Sequence, residues 1–182
     1  MLLIRAARPD DCEAVAYIYR YYVENSVASF DYEAPDVACW RDRLASTSAA
    51  GRPFLVAEDP DLEDPELGPG IIGYAYLGPY RGKTGWNWTA ENSIYLLPVA
   101  AGRGIGTTLL QALVAATDPS VVRNIMAVIA DEVPASIAIH ERVGFVEVGR
   151  SPGVGYKFGR WVGCVYLQLR LPLVSSRTCP SA

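Results

Sequence analysis

The chain has 182 residues, 51% of them hydrophobic, which is the size of one well-buried domain rather than two. Its formal charge is −4 and its sixteen Lys and Arg are scattered, which excludes a broad basic face for nucleic acid. No stretch approaches the roughly 20 apolar residues of a membrane span, and the opening MLLIRAARPDD is too short an apolar run for a signal peptide, so a soluble, cytoplasmic protein is expected.

In chain order, Leu2–Arg5 reads as a short strand. Pro9-Asp10-Asp11 then places a proline and two acids where a helix start favours both, and the apolar spacing of Val15, Ile18, Tyr19 and Tyr22 predicts a helix over 10–25. A second amphipathic stretch from Pro35, with Val37, Trp40 and Leu44, ends before Gly51. Phe54–Glu58 and Ile71–Leu77 are β-rich, and the acidic Pro/Gly segment DPDLEDPELGPG between them reads as a long hairpin loop. Ile94–Leu97 is a further strand. Helices over 104–117 and 134–143 flank a strand at 125–129, the second stopping at Gly144 as a carboxyl-terminal cap. Phe145–Val148 and Val162–Leu171 close the pattern, and residues 173–182 read as a frayed tail beyond a single domain over 1–172. Early strands linked by a hairpin and later ones separated by helices argue for a mixed α/β (α+β) sheet of about seven strands flanked by about four helices.

Cys12, Cys39, Cys164 and Cys179 are far apart and form no C-x-x-C pair, and His140 is the only histidine. Neither a metal site nor a redox motif is indicated, and buried reduced thiols are expected. The chemistry-bearing feature is the glycine series Gly102-x-Gly104-x-Gly106 opening directly into an apolar helix. Glycines at a strand-to-helix turn expose backbone N–H groups at the positive end of a helix dipole, where an anion can approach closely. The glycines alone leave a phosphate cradle and a flexible spacer equally open. No Lys-Ser/Thr follows, which excludes a Walker loop.

This stretch, AGRGIG at 101–106, resembles the acetyl-CoA loop [Gln/Arg]-x-x-Gly-x-[Gly/Ala] of the GNAT N-acetyltransferases. GPYRGKTGWNWTAENSIYL (78–96), IHERVGF (139–145) and GVGYKFGRWVGCVYLQLRLP (153–172), with IRAARPDDCEAVAYIY (4–19) and SVASFDYEAP (26–35), narrow the resemblance to the phosphinothricin acetyltransferase-like branch. The match runs in order from Leu3 to about Pro172.

The resemblance implies the GNAT fold, a homodimer and direct transfer of acetyl from acetyl-CoA, without a metal, to the amine of a small amino acid or analogue such as phosphinothricin, methionine sulfone or methionine sulfoximine. An amine of pKa about 10 is neutral in roughly one molecule in a thousand at pH 7, so the reaction needs a base. Glu91, in the family's T-x-E-x-S stretch, takes that role. His140 stands where relatives place a proton donor for the CoA thiolate; packing under its helix is the alternative. Leu96, Leu97, Ala101, Gly102, Arg103, Gly104, Ile105, Gly106, Thr107 and Ser136 are implied to hold the cofactor. Phe30, Arg81, Lys83, Trp86 and Tyr156 are implied to hold the substrate, with Lys157 and Trp161 as further walls. Arg81 and Lys83 suit anionic oxygens, although a solvated charge pair beside core aromatics fits them equally. The chain departs from the family at several positions. Ala101 lacks the usual polar side chain, Val133 replaces an asparagine, Asp31 an arginine, and Phe158 and Gly163 a His and an Asp. A CoA-binding module without turnover and an acetyltransferase for polyamines or protein amines are the rival readings.

Overall fold

The computed structural model describes residues 1–64 and 68–172, with the backbone alone at 63, 64, 68 and 69. The sequence-predicted tail over 173–182 and Cys179 lie outside the described residues. Seven strands form one sheet in the order β1-β2-β3-β4-β5-β7-β6, with β1 Leu3–Ala6, β2 Phe54–Asp64, β3 Gly68–Pro79, β4 Thr89–Leu96, β5 Asn124–Ala130, β6 Val146–Lys157 and β7 Arg160–Arg170. The helices are α1 Cys12–Asn25, α2 Val37–Ala49, α3 Ile105–Ala115 and α4 Pro134–Val143. Every neighbouring pair is antiparallel except β4 with β5, and a parallel pair needs a crossover, which α3 provides.

Local chemistry sets the element ends. The Asp36 carboxylate accepts the Cys39 N–H at 2.8 Å and caps α2, while Gly144, at φ 101°, ends α4 in the left-handed region. The Arg5 guanidinium binds both Asp11 oxygens, at 2.7 and 2.8 Å, and Glu58 at 2.9 Å, tying β1 to β2 and to the turn before α1. Adjacent residues of β4 show how the layers divide. Tyr95 packs its ring on Tyr19 and Tyr22 of α1, whereas Leu96 meets Gly106 of α3. Since neighbouring side chains on a strand point to opposite faces, α1 covers one face and α3 the other. The α1 face is filled around Trp40, whose ring has Tyr19, Tyr74, Tyr76 and Phe54 at centroid distances of 5.3 to 6.5 Å. On the other face Leu109, Leu110 and Leu113 of α3 are fully buried.

Five expectations need correction. The acidic segment over 59–70 is not a loop throughout: β2 runs to Asp64 and β3 starts at Gly68, with 65–67 outside the described residues. A register shift between Asp59 and Glu63 absorbs the irregular sequence, Leu62 anchors it in the core, and the amino terminus binds Asp59 and Asp61. β4 begins at Thr89 rather than Ile94, and β6 continues to Lys157 through two register shifts that hide its alternation. Of the described cysteines, all free, Cys12 and Cys164 are buried but Cys39 is exposed. The first helix starts at Cys12, after a 3₁₀ turn over Pro9–Asp11.

The feature that builds a site is the brevity of the parallel pairing. β4 and β5 are matched only from Thr89↔Asn124 to Glu91↔Met126, yet β4 continues to Leu96 and β5 to Ala130. Beyond Glu91 the two strands part, and the sheet opens in its middle.

Candidate active site

The opening is a cavity of about 430 Å³ that passes through the sheet. Its walls are Asn92–Leu96 on one arm and Ala127–Ala130 on the other, with Tyr22 and Ala28 on the α1 face and Ser136, Ile139, His140 and Arg142 of α4 on the far face. At its far mouth stands the glycine loop. Gly102 and Gly104 have φ of 74° and 76°, the left-handed region that glycine adopts without strain, and no atom lies within 4 Å of where a Cβ would be at either. Open space therefore lies against the first turn of α3, whose N–H groups have no partners within the helix. Ala101, Gly102, Gly104, Ile105, Gly106 and Thr107 line this mouth. A Cβ at Gly106 would sit 3.3 Å from Leu96 and 3.4 Å from Ile139, so the glycine lets α3 lie close on β4 and α4. Arg142 reaches from α4 to Thr107 Oγ1 at 3.5 Å.

Glu91 is the last residue of β4 paired with β5 and shares the α1 face with Ser93 and Tyr95. Burial raises its carboxyl pKa above the usual glutamate value, because desolvation disfavours the charged form. Asn92 points the other way, to His140. That ring is 1% exposed; Nδ1 lies 2.7 Å from the Ser136 carbonyl and Nε2 3.1 Å from Asn92 Oδ1. Burial lowers its pKa, opposed by the Ser136 bond, so the ring is neutral and its proton sits on Nδ1, donating to Ser136. Nε2 is then an acceptor that faces another acceptor, while Asn92 Nδ2 is buried without a partner. Exchanging the amide oxygen and nitrogen of Asn92, an orientation that the hydrogen-bond network decides, satisfies both groups at once: Nδ2 donates to Nε2. The expected proton donor thus has no proton on Nε2. Nitrogen-15 shifts should show the Nδ1-protonated neutral tautomer at pH 7 and above, with the second proton gained only at a pH below that of a free imidazole; a ring that titrates above a free imidazole contradicts this assignment.

The structure brings together Glu91, His140, Leu96, Ser136 and the loop residues except Arg103, which is exposed outside the lining. Leu97 is buried in the core, its N–H donating to Ile72 O at 2.7 Å. The residues expected to hold substrate do not line the opening. Arg81 lies 5.2 Å from the Tyr80 ring centre and 5.1 Å from that of Trp86, Lys83 is exposed, and Tyr156 and Trp161 meet edge to face at the sheet edge. Phe30 packs against Gly155, beside Val27, Ala130 and Val162.

An acetyltransferase (GNAT) domain model matches residues 4–165. This chain belongs to the GNAT acetyltransferases. It is 39% identical over 166 residues to the phosphinothricin N-acetyltransferase of Alcaligenes faecalis, covering 91% of this chain and 80% of that protein. It is 34% identical to the L-methionine sulfoximine/L-methionine sulfone acetyltransferase of Pseudomonas aeruginosa, over 92% and 94% of the two chains. The crystal structure of the Sinorhizobium meliloti GNAT phosphinothricin acetyltransferase in complex with acetyl-CoA superposes with a TM-score of 0.86 at 34% identity, covering 97% of this chain and 92% of that one.

The GNAT assignment makes the protein an N-acetyltransferase that draws on acetyl-CoA, and the open first turn of α3 is a fit place for its pyrophosphate. Among the described residues no three His, Cys, Asp or Glu side chains are grouped to hold a metal, and no described helix is long and apolar enough to cross a membrane. Sequence reasoning missed Tyr22, whose hydroxyl donates to the Leu96 carbonyl at 2.6 Å, and Tyr95, which donates to Ala28 O at 3.1 Å. Tyr22 reads by spacing as an apolar position of the first helix, and Tyr95 only as part of the strand over Ile94–Leu97. Asn92 was equally missed, although its place beside Glu91 on a strand puts it on the opposite face.

Proposed function

We propose that this GNAT acetyltransferase acetylates the amine of a small amino acid or analogue of the phosphinothricin, methionine sulfone or methionine sulfoximine type. The amine enters on the α1 face and acetyl-CoA on the α3/α4 face. The carrying observation is the position of Glu91, a half-buried carboxylate with no cationic partner among the described residues, where β4 and β5 part and on the α1 side of the opening. Acetyl-CoA supplies an activated thioester; the chain's own groups do the rest. Glu91 takes the ammonium proton, directly or through a water, and its raised pKa makes it a stronger base than a solvated glutamate. Backbone N–H groups from Gly102 to Thr107 hold the pyrophosphate, with Ala101 contributing no side chain. His140, neutral, holds the Asn92 amide in place on the side of the opening where the thioester would lie. The CoA thiol, comparable to a free thiol of pKa about 8.5, would leave without an imidazolium and take up its proton from water.

Arg81 and Lys83 are the basic pair offered to the anionic end of the substrate, since Arg81 lies over the Tyr80 and Trp86 rings, a contact that uses the guanidinium's face rather than its N–H edges. A homodimer is supported by the exposed apolar residues of the β6–β7 hairpin, Val146, Val148, Val154, Phe158 and Trp161, all at least half exposed, at the end of the sheet where β6 is the edge strand. Trp161→Glu should then shift the molar mass seen by light scattering from two chains to one. A cytoplasmic location agrees with free thiols at Cys12, Cys39 and Cys164. Thiol release from acetyl-CoA across a panel of amines tests the function. Faster turnover of methionine sulfone, methionine sulfoximine or phosphinothricin than of spermidine or peptides is expected. Tight CoA binding with no turnover of any of them defeats the reading.

A further inference from the structure

The segment between α1 and α2 runs from one arm of the opening to the other. At the β4 arm Tyr95 Oη donates to the Ala28 carbonyl, and Tyr22, just upstream, holds Leu96 O. Val27 packs against Ala130 of β5 and Val162 of β7. At the far arm the Phe30 ring lies against Gly155 of β6, so closely that a Cβ there would be 2.4 Å from it. Two serine turns stiffen the segment: Ser26 Oγ accepts from Ala28 N, and Ser29 Oγ from Asp31 N, each at 3.1 Å.

The fastening at the far arm is Lys157. It is 2% exposed, and its Nζ donates to the carbonyls of Ser26 at 3.0 Å and Ser29 at 2.6 Å. No carboxylate forms an ion pair with it among the described residues. A buried ammonium needs polar partners, and here backbone oxygens of this one segment supply them. An arrangement that binds a charge through the carbonyls of a single loop fixes the course of that loop.

We propose that Lys157 is a positioning residue for acetyl transfer: by holding Ser26 O and Ser29 O, it keeps residues 26–31 drawn as a strap across the α1 face of the opening and so sets the amine entrance. The kinetic part of this inference rests on the acetyltransferase reading above. The glycine loop proposed to hold the cofactor stands at the other mouth of the opening.

The variants Lys157→Met, Lys157→Arg and Gly155→Ala test it, read by amine KM, acetyl-CoA Kd from calorimetry and amide hydrogen exchange at 26–31. Lys157→Met should raise the amine KM about tenfold or more, the size of one charge-assisted hydrogen bond, with faster strap exchange and acetyl-CoA Kd within about twofold of wild type. Lys157→Arg, which retains donors for both carbonyls, should recover most of the loss. Equal shifts in amine KM and acetyl-CoA Kd overturn the proposal, as does an unchanged amine KM alongside faster strap exchange. If Lys157→Met does not fold, Gly155→Ala, which displaces Phe30, must show the same split between amine and cofactor; no change in its amine KM overturns the proposal. If the wild type turns over no amine, the functional reading fails, and the strap is judged by exchange alone: equal protection of 26–31 in wild type and variant overturns it.

Discussion

Replacing Glu91 by glutamine is expected to lower kcat/KM for the amine at pH 7 by about 10²–10⁴-fold, the usual contribution of a positioned general base. Glutamine keeps the shape of the side chain and loses only the ability to accept a proton, so acetyl-CoA Kd should stay at the wild-type value. The pH profile gives a second reading. Glu91 acts as base only when ionised, and burial raises its pKa above 4.5. The wild-type rate must therefore rise with pH through a limb displaced upward from that of a free glutamate, and this limb should vanish in the variant. The remaining dependence then follows the neutral fraction of the amine alone. A variant as fast as wild type at pH 7 removes Glu91 from the mechanism.

Trp40→Ala should be the most damaging single truncation on the α1 face. The ring is 1% exposed and touches four aromatic rings from α1, β2 and β3, while the Arg43 guanidinium lies 4.5 Å above it. Large buried aromatic truncations cost about 3–5 kcal/mol through lost transfer energy and the cavity left behind. At about 2–4 °C per kcal/mol for a domain of this size, that lowers Tm by about 6–20 °C. Trp40→Phe is the informative contrast. The indole Nε1 is buried with no acceptor, so phenylalanine removes an unsatisfied donor together with part of the volume, and its loss should be well below that of alanine. Equal losses in the two variants would mean that ring volume is irrelevant at this position.

How much of this was legible in the chain depends on how far apart the interacting residues lie. The helix at 134–143 and its Gly144 cap are set by neighbours in sequence, and both ends are where the spacing places them. The hairpin of β2 and β3 is not, because pairing across the sheet, a bulge and one inward leucine override a composition that reads as loop. β6 hides for the same reason, its glycines and proline absorbed by register shifts. The glycine loop and Glu91 could be singled out because motif and local position carry them. The protonation state of His140 could not, since it is decided by a carbonyl one helical turn away and an amide 48 residues away. Nor could Lys157, whose two carbonyl partners lie 131 and 128 residues before it.

A passage that breaches a sheet from face to face gives its two reactants separate doors. Glu91, Ser93 and Tyr95 look out of one and Asn92 and Leu96 out of the other, because successive residues of one strand alternate. Neither reactant has to leave before its partner arrives, so inhibition by products should sort by door. Free CoA should compete with acetyl-CoA and leave the amine door unobstructed, while the acetylated product should compete with the amine. An enzyme built this way can stay charged with its donor while it samples successive amines, rejecting poor ones without surrendering the acetyl group.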